Sequence, residues 1–382
     1  MISMTPALCI VGANGPSLYG LTPRERLQRQ FERAGVSTVL SPEAAAVHGG
    51  PVIVVRAAAV IDQPLIAALI ATPQLLLLGD GPKGEVALAA HVQPPGVPAA
   101  CQALANGAPG SAGLALNAKT ASELDVKFWK ALRKRETPYA LLVDESNAPT
   151  VEWRMFIGTY KGATDLVTKH LWPVPAYHAT RLLAPLGITP NLVTTVGAVL
   201  MVLAFWLFLR GDFALGLVSA WAMTFLDTVD GKLARTTLAS SKWGDVFDHG
   251  IDLVHPPFWY AAWGLGLSKV GLAWPPVTFW WVIAAILGGY IVQRIMEGIA
   301  IKWLGLEIHI WRPIDTLFRQ ITARRNPNLV LMTLGVLVAR PDWGLMAVAI
   351  WTLACLVLHG FQLIQALAAR RGGPLASWMT GK

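Results

Sequence analysis

The residues of this sequence best placed to do chemistry are four aspartates, Asp227, Asp230, Asp248 and Asp252. They form two pairs, Asp227 with Asp230 and Asp248 with Asp252, spaced three and four residues apart. On helices, residues at these spacings share one face, so each pair would project its carboxylates in one direction. Apolar segments long enough to enter a bilayer lie on both sides, and acidic residues at the end of a membrane span usually mark an ion or substrate site.

Four carboxylates that converge within a few ångströms would repel one another and raise several of their pKa values. A divalent cation removes that repulsion, and ligands that are all oxygen suit Mg²⁺, Mn²⁺ or Ca²⁺ better than zinc. Such ions commonly bridge phosphate oxygens and neutralise charge while a phosphoryl-type bond breaks. The small residues Gly231, Ala234 and Gly244 leave room for a nucleotide against the helix. The alternative for any single Asp is a helix cap or a solvated loop end.

The spacing of this segment resembles the signature of the CDP-alcohol phosphotransferase family, D-x-x-D-G-x-x-A-R-x8-G-x3-D-x3-D. Every fixed position of that signature is present: Asp227, Asp230, Gly231, Ala234, Arg235, Gly244, Asp248 and Asp252. Eight fixed positions at fixed spacing are a far more specific signal than a short glycine motif.

The resemblance implies a mechanism. Asp227, Asp230 and Asp248 would hold one or two Mg²⁺ or Mn²⁺ ions against the pyrophosphate of a CDP-alcohol. Asp252 would complete the metal set and act as general base on an acceptor hydroxyl, which attacks the β-phosphorus and releases CMP. The implied CDP-alcohol-binding residues are Asp227, Gly231, Ala234, Arg235 and Gly244, with Arg235 near a phosphate or paired to a motif Asp.

The donor and the acceptor stay open. We prefer a lipid donor such as CDP-diacylglycerol and a polyol phosphate acceptor, inositol phosphate or glycerol phosphate, in phospholipid biosynthesis. The reverse polarity, a soluble CDP-polyol or CDP-amino alcohol transferred to a lipid hydroxyl, is the alternative. A membrane cation transporter is a distant one, because no internal repeat is visible and the acids lie at one surface. A further alternative is a sensor, with a nucleotide-binding front domain on an inert membrane anchor. The intact metal motif argues against it.

Composition indicates an integral membrane protein. The chain is 54% hydrophobic and 14% charged, too apolar for an ordinary soluble protein. Its net charge of +8 fits anionic lipid head groups and phosphorylated substrates, so no nucleic acid partner is expected. Cys9, Cys101 and Cys355 lie far apart and show neither a disulfide nor a zinc pattern, so they are interpreted as small buried hydrophobes.

Residues 1–140 are predicted to form a soluble α/β domain with a mainly parallel, Rossmann-like sheet. A buried strand at 7–12 and a glycine-containing loop precede a helix with Thr22 as N-cap and Glu25 completing a capping box. Strands are predicted at VSTVL, PVIVV and QLLLL, and helices around 64–71 and 121–135. The order resembles a sugar-phosphate nucleotidyltransferase domain. Its loop lacks a cation and PVIVV runs into Arg56 with no Asp at the expected place, so the domain is predicted to be degenerate and non-catalytic.

Residues 141–187 are predicted to be a linker with a juxtamembrane helix at 163–186, which the prolines at 173 and 175 would break once. Residues 188–382 are predicted to be a six-helix membrane domain. The expected spans are about 191–209, 213–230, 246–267, 277–301, 328–338 and 343–367. The fifth is shorter than the roughly 20 residues that a straight span needs.

The basic residues predict which side of the membrane each loop occupies. With the amino-terminal domain inside, eleven basic residues fall in cytoplasmic loops and three on the other side. We therefore expect a multi-pass protein of the cytoplasmic (inner) membrane whose aspartates lie at the cytoplasmic surface. The family resemblance further implies a homodimer paired through membrane helices.

The loop at 302–326 and its surroundings are the second informative stretch. Guanidinium groups match phosphate oxygens, so its arginines are predicted to hold an acceptor phosphate, with an anchor on anionic lipid as the alternative. Arg294, inside the fourth span, either pairs with Glu297 or faces the polar cavity. His255 either touches the acceptor or is an interior histidine. The acceptor-binding candidates are Arg294, Arg312, Arg319, Arg324, Arg325 and His255.

Overall fold

The structure, a computed structural model, divides into two compact parts. It describes residues 5–107, 114–124, 126, 128–240 and 242–381, and the side chains among them except those of 242, 243, 245–249 and 251–253. The first unit comprises Met1–Tyr160, Arg181–Gly187 and Arg235–Leu238. The second comprises Lys161–Thr180, Ile188–Ala234 and Ala239–Lys382.

The first unit is an α/β fold, as the sequence predicts. Its strands are β1 (Ala7–Val11), β2 (Val39–Leu40), β3 (Val52–Arg56), β4 (Ala59–Ile61), β5 (Leu75–Gly81), β6 (Gly84–Val92), β7 (Asn117–Thr120), β8 (Phe128–Trp129), β9 (Lys134–Arg135) and β10 (Ala140–Leu142). Its helices are α1 (Pro23–Arg33), α2 (Pro42–Ala46), α3 (Gln63–Ala71), α4 (Val97–Ala105) and α5 (Ala148–Gly158).

The main sheet is mixed, which differs from the expected mainly parallel sheet. Its order is β2-β1-β3-β6-β5-β10-β4, with β7 beside β5. The strand β1 is parallel to β2 and β3, whereas β6 is antiparallel to both β3 and β5. The cause is the tight turn between β5 and β6, where Gly84 has a φ of +115°. A turn this short can join only antiparallel neighbours.

Both faces of this sheet are covered. Along β1, Leu8 and Ile10 pack into one apolar cluster with α1 and α3, and Cys9 and Val11 pack into another with α4. The alternation follows the two-residue period of a strand. The predicted capping box of α1 is confirmed, since Glu25 accepts from the backbone N–H of Thr22 and donates its own to the Thr22 hydroxyl.

The prediction of a helix around 121–135 is wrong. The strands β8 and β9 pair antiparallel there, with Phe128 opposite Arg135. A short 3₁₀ turn joins them and ends at Arg133, which has a φ of +46°. A non-glycine residue in this left-handed region reverses the chain and is incompatible with a continuing α-helix.

Asp62 offers a test of the packing of the first unit. Its side chain is 6% exposed and accepts from the Gln63 backbone N–H, and burial raises its pKa to about 6. The unfolded chain loses this proton near pH 4, so the charge destabilises the fold progressively from pH 4 to pH 6. Asp62→Asn keeps a capping oxygen and is expected to stabilise the unit by up to about 3 kcal/mol at pH 8 and hardly at pH 4.

Hydrogen exchange of the α3 and β10 amides measures this difference. Asp144→Asn is the matched control, because hydrogen bonds from Ser146 and Asn147 lower the pKa of Asp144 and that variant should lose stability at pH 8. An Asp62→Asn gain that is equal at both pH values would contradict a raised pKa.

The second unit is helical. Its helices are α6 (Pro173–Leu183, whose last residues are grouped with the first unit), α7 (Pro190–Arg210), α8 (Phe213–Thr236), α9 (Lys242–Gly266), α10 (Pro276–Ile299), α11 (Pro313–Phe318), α12 (Arg325–Leu337) and α13 (Pro341–Arg370). The predicted juxtamembrane segment forms a π-helical turn at Val167–Leu171 followed by α6. The break between the two falls at Pro173, as expected for a proline in a helix.

Four helices in the described part of the chain are long and apolar enough to cross a membrane. They are α7, α8, α10 with its continuation to Leu304, and α13. Six spans therefore stay a prediction. The other two predicted spans correspond to α12, which has only 13 residues, and to α9, in which several side chains lie outside the described residues. The helices α7, α8, α9, α10, α12 and α13 share one apolar core that includes Phe208, Trp263 and Met332.

Candidate active site

The first aspartate pair lies near the end of α8. Asp227 and Asp230 are one turn apart on this helix, with exposed fractions of 20% for the Asp227 side chain and 4% for Asp230. Gly231 and Ala234, which follow on the same helix, are partly exposed. The spacing places both carboxylates on one face, as the sequence predicts.

Asp230 is fixed by a neighbouring helix. The Thr194 hydroxyl on α7 donates to Asp230 Oδ2 over 2.6 Å. A charge-assisted hydrogen bond of this kind holds a carboxylate in one orientation and offsets part of its desolvation cost. Thr194 is a functional candidate that sequence reasoning missed. In the sequence, the only feature that could have indicated Thr194 is a hydroxyl side chain in the first turns of an apolar span.

Asp227 is paired with the first residue of α12. Arg325 Nη2 donates to Asp227 Oδ2 over 2.5 Å. The sequence assigned Arg325 to the acceptor phosphate, whereas the structure also makes it the cation beside an Asp of the motif. The other motif cation, Arg235, lies further along α8 in the short segment grouped with the first unit.

The second aspartate pair lies on α9. Asp248 and Asp252 fall within this helix, four residues apart, but their side chains lie outside the described residues, and Gly244 precedes them on the same helix. Convergence of all four carboxylates therefore stays a prediction. Among the side chains that are described, no three His, Cys, Asp or Glu groups meet as a metal site. The two carboxylates of α8 supply only oxygen donors, which fit Mg²⁺ or Mn²⁺.

A second group of polar side chains, most of them basic, surrounds the carboxylate of Glu297. Glu297 on α10 accepts from Arg294 Nη1 and His309 Nε2, each over 3.0 Å, and from Arg324 Nη2. Burial lowers the pKa of His309 to about 3, so its imidazole is neutral. We call Arg294, Glu297, His309, Arg319, Arg324 and His359 the arginine cluster. Its three guanidinium groups exceed its one carboxylate.

Arg319 and His359 give this cluster unused donor capacity. Within the described part of the chain, Arg319 Nη1 and both ring nitrogens of His359 are buried without a hydrogen-bond partner. Burial, and then the neighbouring Arg324 guanidinium, lowers the pKa of Arg319. Buried polar groups are nearly always satisfied, so an orphaned guanidinium nitrogen in a cationic cluster indicates a place for an anion.

Two adjacent residues join the arginine cluster to the aspartates. Arg324 donates to Glu297, and its neighbour Arg325 donates to Asp227. Consecutive Cα atoms are about 3.8 Å apart. The start of α12 therefore links the arginine cluster to the motif carboxylate, a connection that the sequence does not show.

The remaining acceptor candidates are engaged in different ways. Arg312 forms a two-pronged pair with the buried Asp315 and also donates to Gln365, so its guanidinium supports the short helix α11. Arg294 pairs locally with Glu297, one of the two alternatives left by the sequence. His255 is 4% exposed, with its ring 4.6 Å from that of Trp259, as an interior histidine would be.

Sequence reasoning missed His309 and His359 in the arginine cluster. His359 is an isolated polar residue in an apolar helix.

Comparison with known proteins identifies the region that carries this site. A family model described as CDP-alcohol phosphatidyltransferase matches residues 187–324. The archaetidylinositol phosphate synthase of Pyrococcus horikoshii is 35% identical over 120 residues, covering 31% of this chain and 59% of that protein. Choline/ethanolaminephosphotransferase 1 of Arabidopsis thaliana is 36% identical over 115 residues, covering 27% and 28%. Cholinephosphotransferase 1 of Xenopus laevis is 35% identical over 86 residues, covering 18% and 20%.

The chain thus spans less than two thirds of the length of each of these relatives. The matched residues contain all eight positions of the motif, and together with the four apolar helices they indicate a membrane protein. Residues 187–324 of this chain are therefore similar to the CDP-alcohol phosphatidyltransferase family.

Proposed function

We propose that this protein transfers a phosphoalcohol group from a CDP-alcohol to an acceptor hydroxyl and releases CMP. The acceptor oxygen forms a bond to the β-phosphorus, and the bond from that phosphorus to the oxygen bridging to CMP breaks. The hydroxyl proton passes to Asp252, and CMP leaves with the bridging oxygen. The observation that carries the proposal is the start of α12, where Arg324 bonds Glu297 of the arginine cluster and its neighbour Arg325 bonds Asp227 of the matched motif.

Four aspartates would hold the metal. They are Asp227, Asp230, Asp248 and Asp252, and a bound Mg²⁺ or Mn²⁺ would supply charge neutralisation at the pyrophosphate. Thr194 orients Asp230, and Arg325 balances the charge of Asp227. Gly231, Ala234 and Gly244 leave space for the cytidine nucleotide, and Arg235 contributes a cation. Positioning and fixed charge supply most of the catalysis in phosphoryl-type transfers.

The arginine cluster favours an acceptor that carries a phosphate. Its net positive charge and the unused Arg319 and His359 donors match phosphate oxygens better than they match an uncharged lipid hydroxyl. We therefore favour a lipid donor such as CDP-diacylglycerol and a polyol phosphate acceptor. The name of the Pyrococcus relative, an archaetidylinositol phosphate synthase, fits this polarity, whereas the names of the plant and frog relatives fit the alternative of a soluble donor.

A matrix of donors and acceptors tests both levels of the proposal. The purified full chain in lipid is given Mg²⁺ with CDP-diacylglycerol or a CDP-amino alcohol, each with inositol phosphate, glycerol phosphate or diacylglycerol, and CMP release is measured. Release with CDP-diacylglycerol and a polyol phosphate alone supports the preferred polarity. Release with the soluble donor and diacylglycerol alone overturns it and keeps the reaction class. No release with any pair contradicts the reaction class.

Arg319→Met is expected to weaken acceptor binding selectively. A hydrogen bond to a charged group contributes about 1.5–3 kcal/mol, so the KM for the polyol phosphate should rise about 10- to 150-fold. The KM for the CDP-alcohol should change little. The matched control is Arg370→Met, which removes one positive charge at the exposed end of α13. An equal rise in both KM values would contradict an acceptor role for Arg319.

We further infer that the protein lies in the inner membrane with its site on the cytoplasmic side, and that the chain forms a homodimer. The excess of basic residues in the loops predicted to be cytoplasmic supports this orientation. Exposed apolar side chains on the candidate spans, such as Trp280, Trp281 and Phe361, provide surface for lipid or for a second copy. Cross-linking in native membranes, with labelling from either side, tests both inferences.

A further inference from the structure

Two cysteines of the first unit lie in contact although 92 positions separate them in the sequence. The Sγ atoms of Cys9 on β1 and Cys101 on α4 are 3.9 Å apart. Both residues are buried, with exposed fractions of 0% and 9%, so that Cys101 is the outer member of the pair. The sequence indicated three unrelated buried thiols. The fold makes two of them neighbours.

The surroundings of the pair suit a disulfide. Both sulfurs lie in an apolar cluster with Val54, Leu76 and Leu104, and a disulfide has no charge to desolvate. The strand β1 is fixed on both sides by its pairing with β2 and β3. The helix α4 packs on the sheet through apolar side chains such as Val97 and Leu104 and is not part of a strand ladder. It can therefore shift by a fraction of its diameter at lower cost than the strand can.

The two thiols differ in acidity. The contact between the two thiols lowers the pKa of Cys101, whereas the same contact, and then burial, raises the pKa of Cys9. A thiolate is the nucleophile in thiol–disulfide exchange. Cys101 is therefore both the more accessible and the more readily ionised sulfur of the pair.

We propose that Cys9 and Cys101 are a redox modification site that closes reversibly into a disulfide, with a low-molecular-weight disulfide such as oxidised glutathione as the oxidant. The Cys101 thiolate attacks one sulfur of the oxidant and displaces one glutathione thiolate. The Cys9 sulfur then attacks the mixed disulfide, loses its proton and displaces the second glutathione. The protein gives up two electrons and two protons, and the oxidant becomes two thiols. This proposal is independent of the transfer reaction proposed above.

Closure has a structural consequence at the loop after β1. A disulfide bond is about 2.0 Å long, so the sulfurs must approach by about 1.9 Å from their present 3.9 Å. Ala105, one turn after Cys101, has backbone atoms 3.5 Å from where a Cβ would stand on Gly12. Movement of α4 therefore reaches the loop that begins at Gly12. In the oxidised state we expect slower hydrogen exchange in α4.

The experiment uses the full chain in lipid, equilibrated with glutathione buffers of stepped ratio. Samples are quenched in acid, unfolded, alkylated and mapped by mass spectrometry. We expect oxidation to remove two of the three alkylatable thiols and to yield a peptide linking Cys9 to Cys101, while Cys355 stays alkylatable. The ratio of linked to reduced protein should rise in proportion to the concentration of oxidised glutathione divided by the square of the concentration of reduced glutathione, as a two-electron intramolecular disulfide requires.

Single variants separate the steps. Cys9→Ala is expected to trap the mixed disulfide on Cys101, Cys101→Ala to leave Cys9 unmodified, and the matched control Cys355→Ala to behave as the parent chain. The parent chain by itself keeps the test valid if a variant fails to fold. Glutathione on Cys101 of the parent chain without any linked peptide would overturn the proposal. So would a native Cys101 that fails to react under conditions in which the unfolded chain reacts.

Discussion

Asp252→Asn is expected to lower kcat for CMP release by about 10²- to 10⁴-fold, the usual contribution of a positioned general base. Asparagine has nearly the same shape as aspartate, but its amide cannot accept the proton of the acceptor hydroxyl. The KM for the CDP-alcohol should change much less, because the other three aspartates still provide oxygen ligands. Initial rates at saturating acceptor, with donor concentration varied, separate these two effects.

Asp212→Asn is the matched control for this variant. Asp212 precedes α8, is partly exposed and pairs with Arg210, remote in sequence from the motif. This change should leave kcat within about twofold, as expected for a surface substitution. If Asp252→Asn kept near-native turnover, another group would have to be the base. If it lost donor binding completely, Asp252 would act as a metal ligand alone.

Asp230→Asn is expected to cost about 10²- to 10³-fold in kcat, comparable to losing one preorganised electrostatic contact to the transition state. The carboxylate is 4% exposed and held by the Thr194 hydroxyl, so no solvent-exposed group can take its place. The Mg²⁺ concentration for half-maximal activity should rise as well. Mn²⁺ binding followed by electron paramagnetic resonance reports the same loss without turnover.

Thr194→Val tests how Asp230 is positioned. The variant keeps the shape of the side chain and removes its hydrogen bond, so we expect about a 10- to 100-fold loss in metal affinity or activity, as when the partner of a metal ligand is removed. The loss should be smaller than that of Asp230→Asn and should not add to it in the double variant. Additive losses would show that Thr194 acts separately from Asp230.

Local signals predicted much of the secondary structure. The capping box at Thr22 fixed the start of α1, and the predicted segments at 191–209, 277–301 and 343–367 each correspond to a helix with bounds close to those expected. These signals lie within one or two turns of the residues concerned, which is why they are legible without the fold. The segment 121–135 failed because its conformation depends on pairing between two short strands.

The arrangement of the site needed the helices to be packed. Arg324 and Arg325 look alike in the sequence, yet one pairs with Glu297 on α10 and the other with Asp227 on α8. Arg312 looks like an equal member of the same basic loop, yet it is engaged by Asp315. Adjacent side chains at a helix start point to different neighbours, and only the packing decides which neighbours are there.

The sequence by itself predicted a reaction family and determined the eight motif positions and the apolar helices, because fixed spacing and hydrophobic runs are properties of short stretches of chain. Tertiary structure alone decided that Thr194 holds Asp230, that Arg324 and His309 bond Glu297 and that Cys9 meets Cys101. These contacts join residues far apart along the chain. Their partners are set by which faces of strands and helices bury against each other, and no local pattern encodes that choice.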